Sequence, residues 1–407
     1  MCKWKIHSVC YVKSLTPMYP KFLFTQNILR YHFFQGVDKM NGILLQCNHK
    51  IIINMDKFKI NKEIYPFISG DTSLLIDGLY KNLCSLQISE LFIALEKIRK
   101  LIQTINEDIR LFVFRKKENI VLKNNIEIRE VSYFRLIIIR NDLSSYEDYK
   151  YDILFNIDKF KKILFSNIEE FNTIINLPEI EEINIAEHDI LFPPAIGGYF
   201  IHETVGHLLE TDNLSVFRKN DLVNCEILSV TDDITDNELI VGLNNYDDNN
   251  VKVRRTELIK NGKIINLIGS DRGFLRAENI FKNVMPRMRV TYVEKCYHFN
   301  FKCQDKYKNY LKVSQIFGGG VDFRSGNYQL MIRGIIYENG IPVSRIENYI
   351  LTGESKESLE RIIFIGKDLK ISHAYCIKNN QLVDVGVGSP TIYLRKRGEF
   401  FDRNIKK

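Results

Sequence analysis

The sequence lacks several features that would point to a membrane or secreted protein. No apolar run approaches the length of about 18 residues that a helix needs to cross a bilayer. The basic N-terminal stretch has neither the apolar core nor the small-residue cleavage site of a secretion signal. None of the eight cysteines forms a Cys-x-x-Cys pair, which excludes a zinc ribbon and a thioredoxin-type redox pair. These absences predict a cytoplasmic protein without a membrane partner.

The sequence also has little segregation of charge. Its 57 basic and 50 acidic residues give a net charge of +7, yet the two signs are interspersed along most of the chain. The main basic cluster, residues 395–407, is short. Such a distribution favours a solvated charged surface over a nucleic-acid-binding face, so a nucleic-acid partner is not expected.

The two halves of the chain differ in their patterns. The first half combines helical spacing at 88–105 and 156–175 with strand-like runs, including LFVFR, NIVLK, IEIRE and the buried-type FRLIIIR. In the second half, glycine is more frequent and the turn signals Asn261-Gly262 and Asn339-Gly340 predict β-hairpins. We therefore predict an α+β protein. A mixed α/β N-terminal region, 1–186, precedes a β-rich catalytic domain, 187–407, with a metal-site helix at its start.

The strongest chemical signal is the segment FIHETVGHLLETD at 200–212. His202 and His207 could hold a zinc ion from one helix, and Glu203, beside the first histidine, could take a proton from water at the metal. The alternative is two ordinary histidines on an amphipathic helix. The motif therefore predicts a zinc site, with packing as the competing interpretation.

The spacing within this motif has a structural consequence. Residues five apart lie about 140° apart around a regular α-helix, so His202 and His207 would point in different directions. One wide turn with about one extra residue would realign them, and π-bulges of this kind occur at functional sites. Gly206 would lower the cost of that distortion. A real metal site thus predicts a locally distorted helix.

A catalytic zinc ion usually has three protein ligands, so one more is needed. Spacing does not choose among the candidates, which are Glu210, Asp212, Cys296, His298, His373 and Cys376. Glu210 and Asp212 could instead orient the histidines from behind.

The chain resembles the TldD/PmbA family of metallopeptidases, and specifically the TldD-type subunit that retains its metal site. The resemblance is carried by six segments that occur in the same order as in the family. They are FIHETVGHLLETD, VTDD at 230–233, MPRMRVTYV at 285–293, FGGGVDFRSGNYQL at 317–330, LTGESKESLERIIFIGKDL at 351–369 and AYCIKNNQLVDVGVGSPTIYL at 374–394. They cover nearly all of residues 190–395. The sequence departs from the family pattern at Thr211 and in the segment DRGFLRAEN, 271–279. In that segment, Arg276 is the residue that could keep a substrate contact.

The resemblance implies a ligand set and a function. His202, His207 and Cys376 would hold Zn²⁺, and Glu203 would be the general base of a peptidase that hydrolyses unfolded or modified peptides. It also implies a dimer, including a heterodimer with a PmbA-type sister subunit. The glycines of FGGG at 317–320 could let a peptide backbone approach closely, or could form a tight turn. The alternative function is a non-catalytic regulatory or binding subunit with a structural or vestigial metal site.

Overall fold

The computed structural model describes residues 11–12, 42–54, 59–70, 88–105, 108–122, 125–140, 143–181, 183–234, 246–248, 251–269, 275–276, 283–296 and 309–397. Within these ranges the protein has an α+β fold dominated by strands, which confirms the predicted fold class. None of the helices in the described part is both long and apolar enough to cross a membrane.

The N-terminal region forms a five-stranded antiparallel sheet in the order β3-β2-β4-β5-β6. Its strands are β2 (Gly42–Asn54), β3 (Lys59–Gly70), β4 (Asp108–Leu122), β5 (Asn125–Arg140) and β6 (Leu143–Lys150). Helices α1 (Ile88–Ile102) and α2 (Ile157–Ile175) share a hydrophobic core with β4 and β5. The apolar stripe of each helix explains why it packs on the sheet.

Both predicted N-terminal helices are present, and α2 begins where Asn156 caps it by accepting a hydrogen bond from the backbone N–H of Lys159. The strand predictions need one correction. LFVFR and most of NIVLK belong to the single strand β4, while IEIRE and FRLIIIR together form β5. The polar residues between the runs lie within long, continuously paired strands and do not end them. The order of the runs also predicts a turn at Asn124-Asn125, between NIVLK and IEIRE, and Asn124 lies outside the described residues.

The C-terminal region contains two larger sheets. The first has the order β1-β18-β19-β13-β8-β9-β10 and the second β16-β15-β14-β7-β20-β17. In the first sheet the strands are β1 (Tyr11–Val12), β8 (Val230–Asp232), β9 (Thr256–Lys260), β10 (Lys263–Ile264), β13 (Val290–Val293), β18 (Lys370–Lys378) and β19 (Gln381–Ser389). In the second they are β7 (Asp189–Phe192), β14 (Tyr310–Val321), β15 (Asn327–Glu338), β16 (Ile341–Glu354), β17 (Ile362–Ile365) and β20 (Ile392–Leu394).

Smaller elements complete this region. Strands β11 (Leu275–Arg276) and β12 (Met285–Pro286) form a separate pair. Helix α3 (Ile196–Ile201) contacts β13 and β19 of one sheet and β14 of the other, and α4 (Ser355–Glu360) follows β16. One hydrophobic core joins the two sheets and α3.

The predicted hairpins are both present. Asn261 and Gly262 connect β9 to β10, and Asn339 and Gly340 connect β15 to β16. All four turn residues have positive φ, as a type I′ turn requires. The proposed boundary near residue 186 stays a prediction.

The N-terminal sheet contacts the C-terminal region through a buried polar group, which we call the junction cluster: Tyr133, Arg135, Asp148, His373 and Asp384. Arg135 forms two hydrogen bonds with Asp148, of 2.7 and 2.8 Å. Tyr133 stacks on the ring of His373 with centroids 4.2 Å apart, and His373 Nε2 lies 2.9 Å from Asp384 Oδ1. The two charged pairs lie within their own sheets, and the stacking of Tyr133 on His373 joins β5 to β18.

Candidate metal centre

The histidine motif lies on a distorted helix. After α3, residues His202–Gly206 form a π-helix, in which the backbone N–H of His207 donates to the carbonyl of His202. A 3-10 turn, His207–Leu209, follows. The wide turn brings the two imidazole rings to a centroid distance of 4.7 Å, with an interplanar angle of 80°. The distortion predicted from the five-residue spacing is therefore present.

The distorted segment is packed tightly from two sides. A Cβ added at Gly206 would lie 1.8 Å from Met288 Sδ, and one added at Gly198 would lie 2.4 Å from the backbone nitrogen of Gly388 on β19. Contacts under 3.0 Å force something to shift. Glycine at these positions therefore lets α3 and the π-helix approach the sheet closely enough to place the histidines against it.

The side chain of Cys376 on β18 completes a group of three candidate ligands. One ligand atom from each of His202, His207 and Cys376 lies within 4.8 Å of the others, and all three residues are buried. The thiol sulfur of Cys376 is 3.5 Å from Nε2 of His207. Two nitrogens and one sulfur at this spacing are a donor set suited to zinc.

The ring of His207 is oriented from behind by Glu210. Nδ1 of His207 lies 3.0 Å from Oε2 of Glu210, and both side chains are fully buried. Burial acts to raise the pKa of Glu210, but His207 and Lys378 outweigh it, so the pKa of this carboxyl is lowered. Glu210 is thus held as a carboxylate that fixes His207 with Nε2 directed towards Cys376.

His202 and Glu203 differ from His207 and Glu210, whose side chains are hydrogen-bonded to each other. Among the described residues, neither ring nitrogen of His202 and neither carboxylate oxygen of Glu203 has a hydrogen-bond partner, although both side chains are fully buried. Burial lowers the pKa of His202 and raises the pKa of Glu203 to about 8. Buried polar groups normally have partners, so these atoms fit a site that takes a metal ion and a reacting molecule.

The other candidate ligands lie elsewhere. Asp212 is exposed and accepts a hydrogen bond from Lys378. Cys296 packs at the edge of the core without joining the three-ligand group. His373 belongs to the junction cluster. His298 lies outside the described residues. Arg276, from the divergent 271–279 segment, donates to the backbone carbonyls of Met288 and Asp384.

Two buried cations near the site were not predicted from the sequence. Lys378 bonds Glu210, and Arg287 donates to the backbone carbonyl of Cys376 at 2.7 Å. Lys378 follows Cys376 by two residues, so the alternation of a strand could have placed both on one face. No comparable local signal exists for Arg287.

Several known proteins with similar sequences are named metalloproteases. A zinc metalloprotease TldD homolog from Saccharolobus solfataricus is 29% identical over 62% of this chain and 59% of its own length. A metalloprotease from Methanocaldococcus jannaschii is 30% identical over 58% of this chain and 55% of its own length. The matched region therefore spans less than two thirds of these relatives.

Solved structures share the fold at low sequence identity. TldE from Thermococcus kodakarensis has a TM-score of 0.60 at 10% identity, covering 87% of this chain and 95% of its own. A protein from Thermotoga maritima, titled a modulator of a DNA gyrase, has a TM-score of 0.56 at 12% identity, covering 87% of this chain and 95% of its own. These similarities support the fold alone.

The family described as the PmbA/TldA metallopeptidase C-terminal domain matches residues 186–397. This range covers slightly more than half of the 407 residues and contains both the histidine motif and Cys376. The resemblance seen in the sequence is confirmed, and the chain belongs to the PmbA/TldD family of metallopeptidases.

Proposed function

We propose that this chain is a zinc-dependent peptidase that hydrolyses peptide bonds in unfolded or modified peptides. The observation that carries the proposal is the convergence of His202, His207 and Cys376 beside the buried carboxyl of Glu203. Zinc held by these three side chains would polarise a carbonyl group and acidify water. Three protein ligands also match a catalytic site, because structural zinc sites normally have four.

Glu203 is the general base in this proposal. It follows His202 directly on the π-helix, and burial raises its pKa to about 8. A carboxyl group whose pKa is near neutral can take a proton from the attacking water and return it to the departing amine. Oriented by Glu210, His207 would keep Nε2 available as a ligand.

An extended peptide is the substrate class that the surroundings favour. Gly318–Gly320 of β14 are partly exposed, and a Cβ added at Gly319 would lie 3.4 Å from Cγ of Glu203 and 2.5 Å from Cδ2 of Leu330. Glycine at 319 thus lets Leu330 and Glu203 pack directly against β14. Residues 318–320 pair with β15 on one side, and among the described residues β7 pairs with β14 only at 310–312, so an extended peptide can add as a strand beside the proposed base. We therefore propose that a disordered peptide is cleaved while the same sequence within a folded domain is not.

We also propose that the chain works as a dimer, including a heterodimer with a PmbA-type sister subunit, in the cytoplasm. The similarity of its fold to TldE from Thermococcus kodakarensis supports a partner of related structure. The N-terminal region, 1–186, and the catalytic domain, 187–407, remain the proposed division of each subunit.

The test compares zinc content and cleavage of a disordered peptide among the wild type, Glu203→Gln and Cys376→Ala. Glu203→Gln should keep stoichiometric zinc and lose on the order of 10²- to 10⁴-fold in activity, because only the proton transfer is removed. Cys376→Ala should lose zinc and activity together. Cys225→Ala, which removes a buried cysteine outside the site, is the matched control and should retain both. Undiminished cleavage by Glu203→Gln would refute the proposed mechanism.

A further inference from the structure

Lys378 places a buried ammonium group behind the candidate metal centre. Its side chain is 3% exposed, and Nζ lies 2.8 Å from Oε2 of Glu210, 2.6 Å from Oδ1 of Asp212 and 3.2 Å from the carbonyl oxygen of Pro286. A lysine ammonium has three N–H donors, and these three acceptors use all of them. The group is therefore fixed in position.

Lys378 provides a second contact between β18 and the histidine segment, beside the contact made by Cys376. Cys376 and Lys378 are two residues apart on one strand, so their side chains lie on the same face, and both are buried. Cys376 approaches His207, and Lys378 approaches Glu210, three residues further along that segment. Two neighbouring residues of β18 thus contact a ligand and the group that orients it.

A single carboxylate oxygen connects Lys378 to the ligand. Oε2 of Glu210 receives both the ammonium of Lys378 and Nδ1 of His207, while Oε1 has no partner among the described residues. A fully buried carboxylate is costly unless an opposite charge compensates it. The ammonium of Lys378 supplies that charge and also restricts where Oε2 can lie.

We infer that Lys378 is a positioning residue for the metal centre, holding Glu210 so that its Oε2 fixes His207 through Nδ1. This role rests on the proposed metal site. There His207 would bind the ion, Glu210 orients His207, and Lys378 holds Glu210. Groups that orient a metal-bound histidine typically change metal affinity by 10- to 100-fold when removed. Lys378, which acts through Glu210, should reach the lower part of that range.

The test measures zinc affinity by competition with a chromophoric chelator, and the visible spectrum of the cobalt-substituted protein. Lys378→Met keeps the chain length and removes the charge. It should weaken zinc about 10-fold and alter the cobalt ligand-field bands, because the orientation of His207 changes. Lys312→Met makes the same substitution in an ion pair with Glu170 that lies outside the site. It is the matched control, and both readouts should stay close to wild type.

A double-mutant cycle tests whether the effect passes through Glu210. If it does, Lys378→Met combined with Glu210→Gln should bind zinc about as tightly as Glu210→Gln alone. Fully additive losses would overturn the inference, since Lys378 would then act on zinc independently of Glu210. If Lys378→Met does not fold, Lys378→Gln, a shorter neutral donor, carries the same comparison.

The outcomes separate this inference from the proposed function. A wild type that binds no zinc contradicts the metal site itself. If the wild type binds zinc and folded Lys378→Met binds it within about twofold with an unchanged cobalt spectrum, only the role of Lys378 is overturned. A merely structural lysine would lower thermal stability and leave both readouts unaltered.

Discussion

The metal centre and the junction cluster are two buried groups of similar composition that differ in their hydrogen bonds and ion pairs. Each contains histidine, carboxylates and a cation. In the junction cluster, Arg135 pairs with Asp148 and His373 pairs with Asp384. In the metal centre, the side-chain polar atoms of His202 and Glu203 have no hydrogen-bond partner among the described residues.

This difference in hydrogen-bond partners indicates that the buried polar groups have different roles in the two clusters. At the junction, Arg135–Asp148 and His373–Asp384 pair within their own sheets, and the stacking of Tyr133 on His373 joins the two sheets. Among the cluster's charged groups and His373, only Nδ1 of His373 has no hydrogen-bond partner in the described part of the chain.

At the metal centre, His207 is paired with Glu210 and Glu210 with Lys378, whereas the side-chain polar atoms of His202 and Glu203 have no hydrogen-bond partner among the described residues. These unsatisfied atoms belong to one of the three candidate ligands and to the carboxyl group that follows it in the sequence. Such an arrangement costs stability and is typical of a functional site.

The largest contrast should come from removing one histidine from each cluster. His202→Ala should weaken zinc binding on the order of 1,000-fold, more than the cost of changing a group behind a ligand, because it removes a ligand. His373→Ala should leave zinc affinity near wild type and lower the melting temperature. Isothermal competition titrations on both variants check the contrast, and equal losses of zinc affinity would erase it.

Breaking the junction pair should destabilise the protein without altering the metal site. Asp148→Asn leaves the buried guanidinium of Arg135 without its carboxylate, and we expect a loss of about 3 kcal/mol in the free energy of unfolding. Chemical denaturation of the zinc-free protein measures this loss. A zinc affinity that falls in parallel would show that the two clusters are coupled.

Glu203→Gln should stabilise the metal-free protein, and the gain should depend on pH. Burial raises the pKa of Glu203 from its ordinary 4.5 to about 8, so the folded state keeps a proton that the unfolded state releases between these values. The wild type therefore loses stability as pH rises from 5 to 8, whereas the variant lacks this loss. The difference should be negligible below pH 4.5, grow to several kcal/mol and level off above pH 8.

A carboxylate in an ion pair provides the control, because its replacement should change the stability in the opposite direction. The side chain of Glu347 is 8% exposed, and its two carboxylate oxygens share the single Nε–H of Arg333 in a bifurcated hydrogen bond, at 2.8 and 2.7 Å. Glu347→Gln should destabilise the protein, because it weakens an existing ion pair. Urea unfolding of both variants between pH 5 and 8 makes the comparison. A destabilising Glu203→Gln would contradict the picture of an unsatisfied functional carboxyl.

The smallest expected effect concerns packing behind the π-helix. Gly206→Ala should cost about 1–2 kcal/mol, because the added Cβ overlaps Met288 Sδ. Shortening the opposing side chain in Gly206→Ala/Met288→Ala should recover part of this loss. Thermal unfolding of the single and double variants measures it, and no loss in the single variant would show that the segment can shift freely.

Local patterns predicted the fold class, the hairpins and the wide turn, because each depends on neighbouring residues. Asn-Gly pairs specify their turns, and five-residue spacing conflicts with 3.6 residues per helical turn. The position of Cys376 came from family resemblance, since 169 residues separate it from His207. Lys378 and the junction cluster were missed for the same reason: their partners meet only after the sheets assemble.

X-ray absorption at the zinc edge of the purified, zinc-loaded protein tests the central claim most directly. The proposed centre predicts one sulfur at about 2.3 Å together with imidazole nitrogens at about 2.0–2.1 Å, and the sulfur signal should vanish in Cys376→Ala. A zinc shell without sulfur, or one with several sulfur ligands, would contradict a site formed by His202, His207 and Cys376.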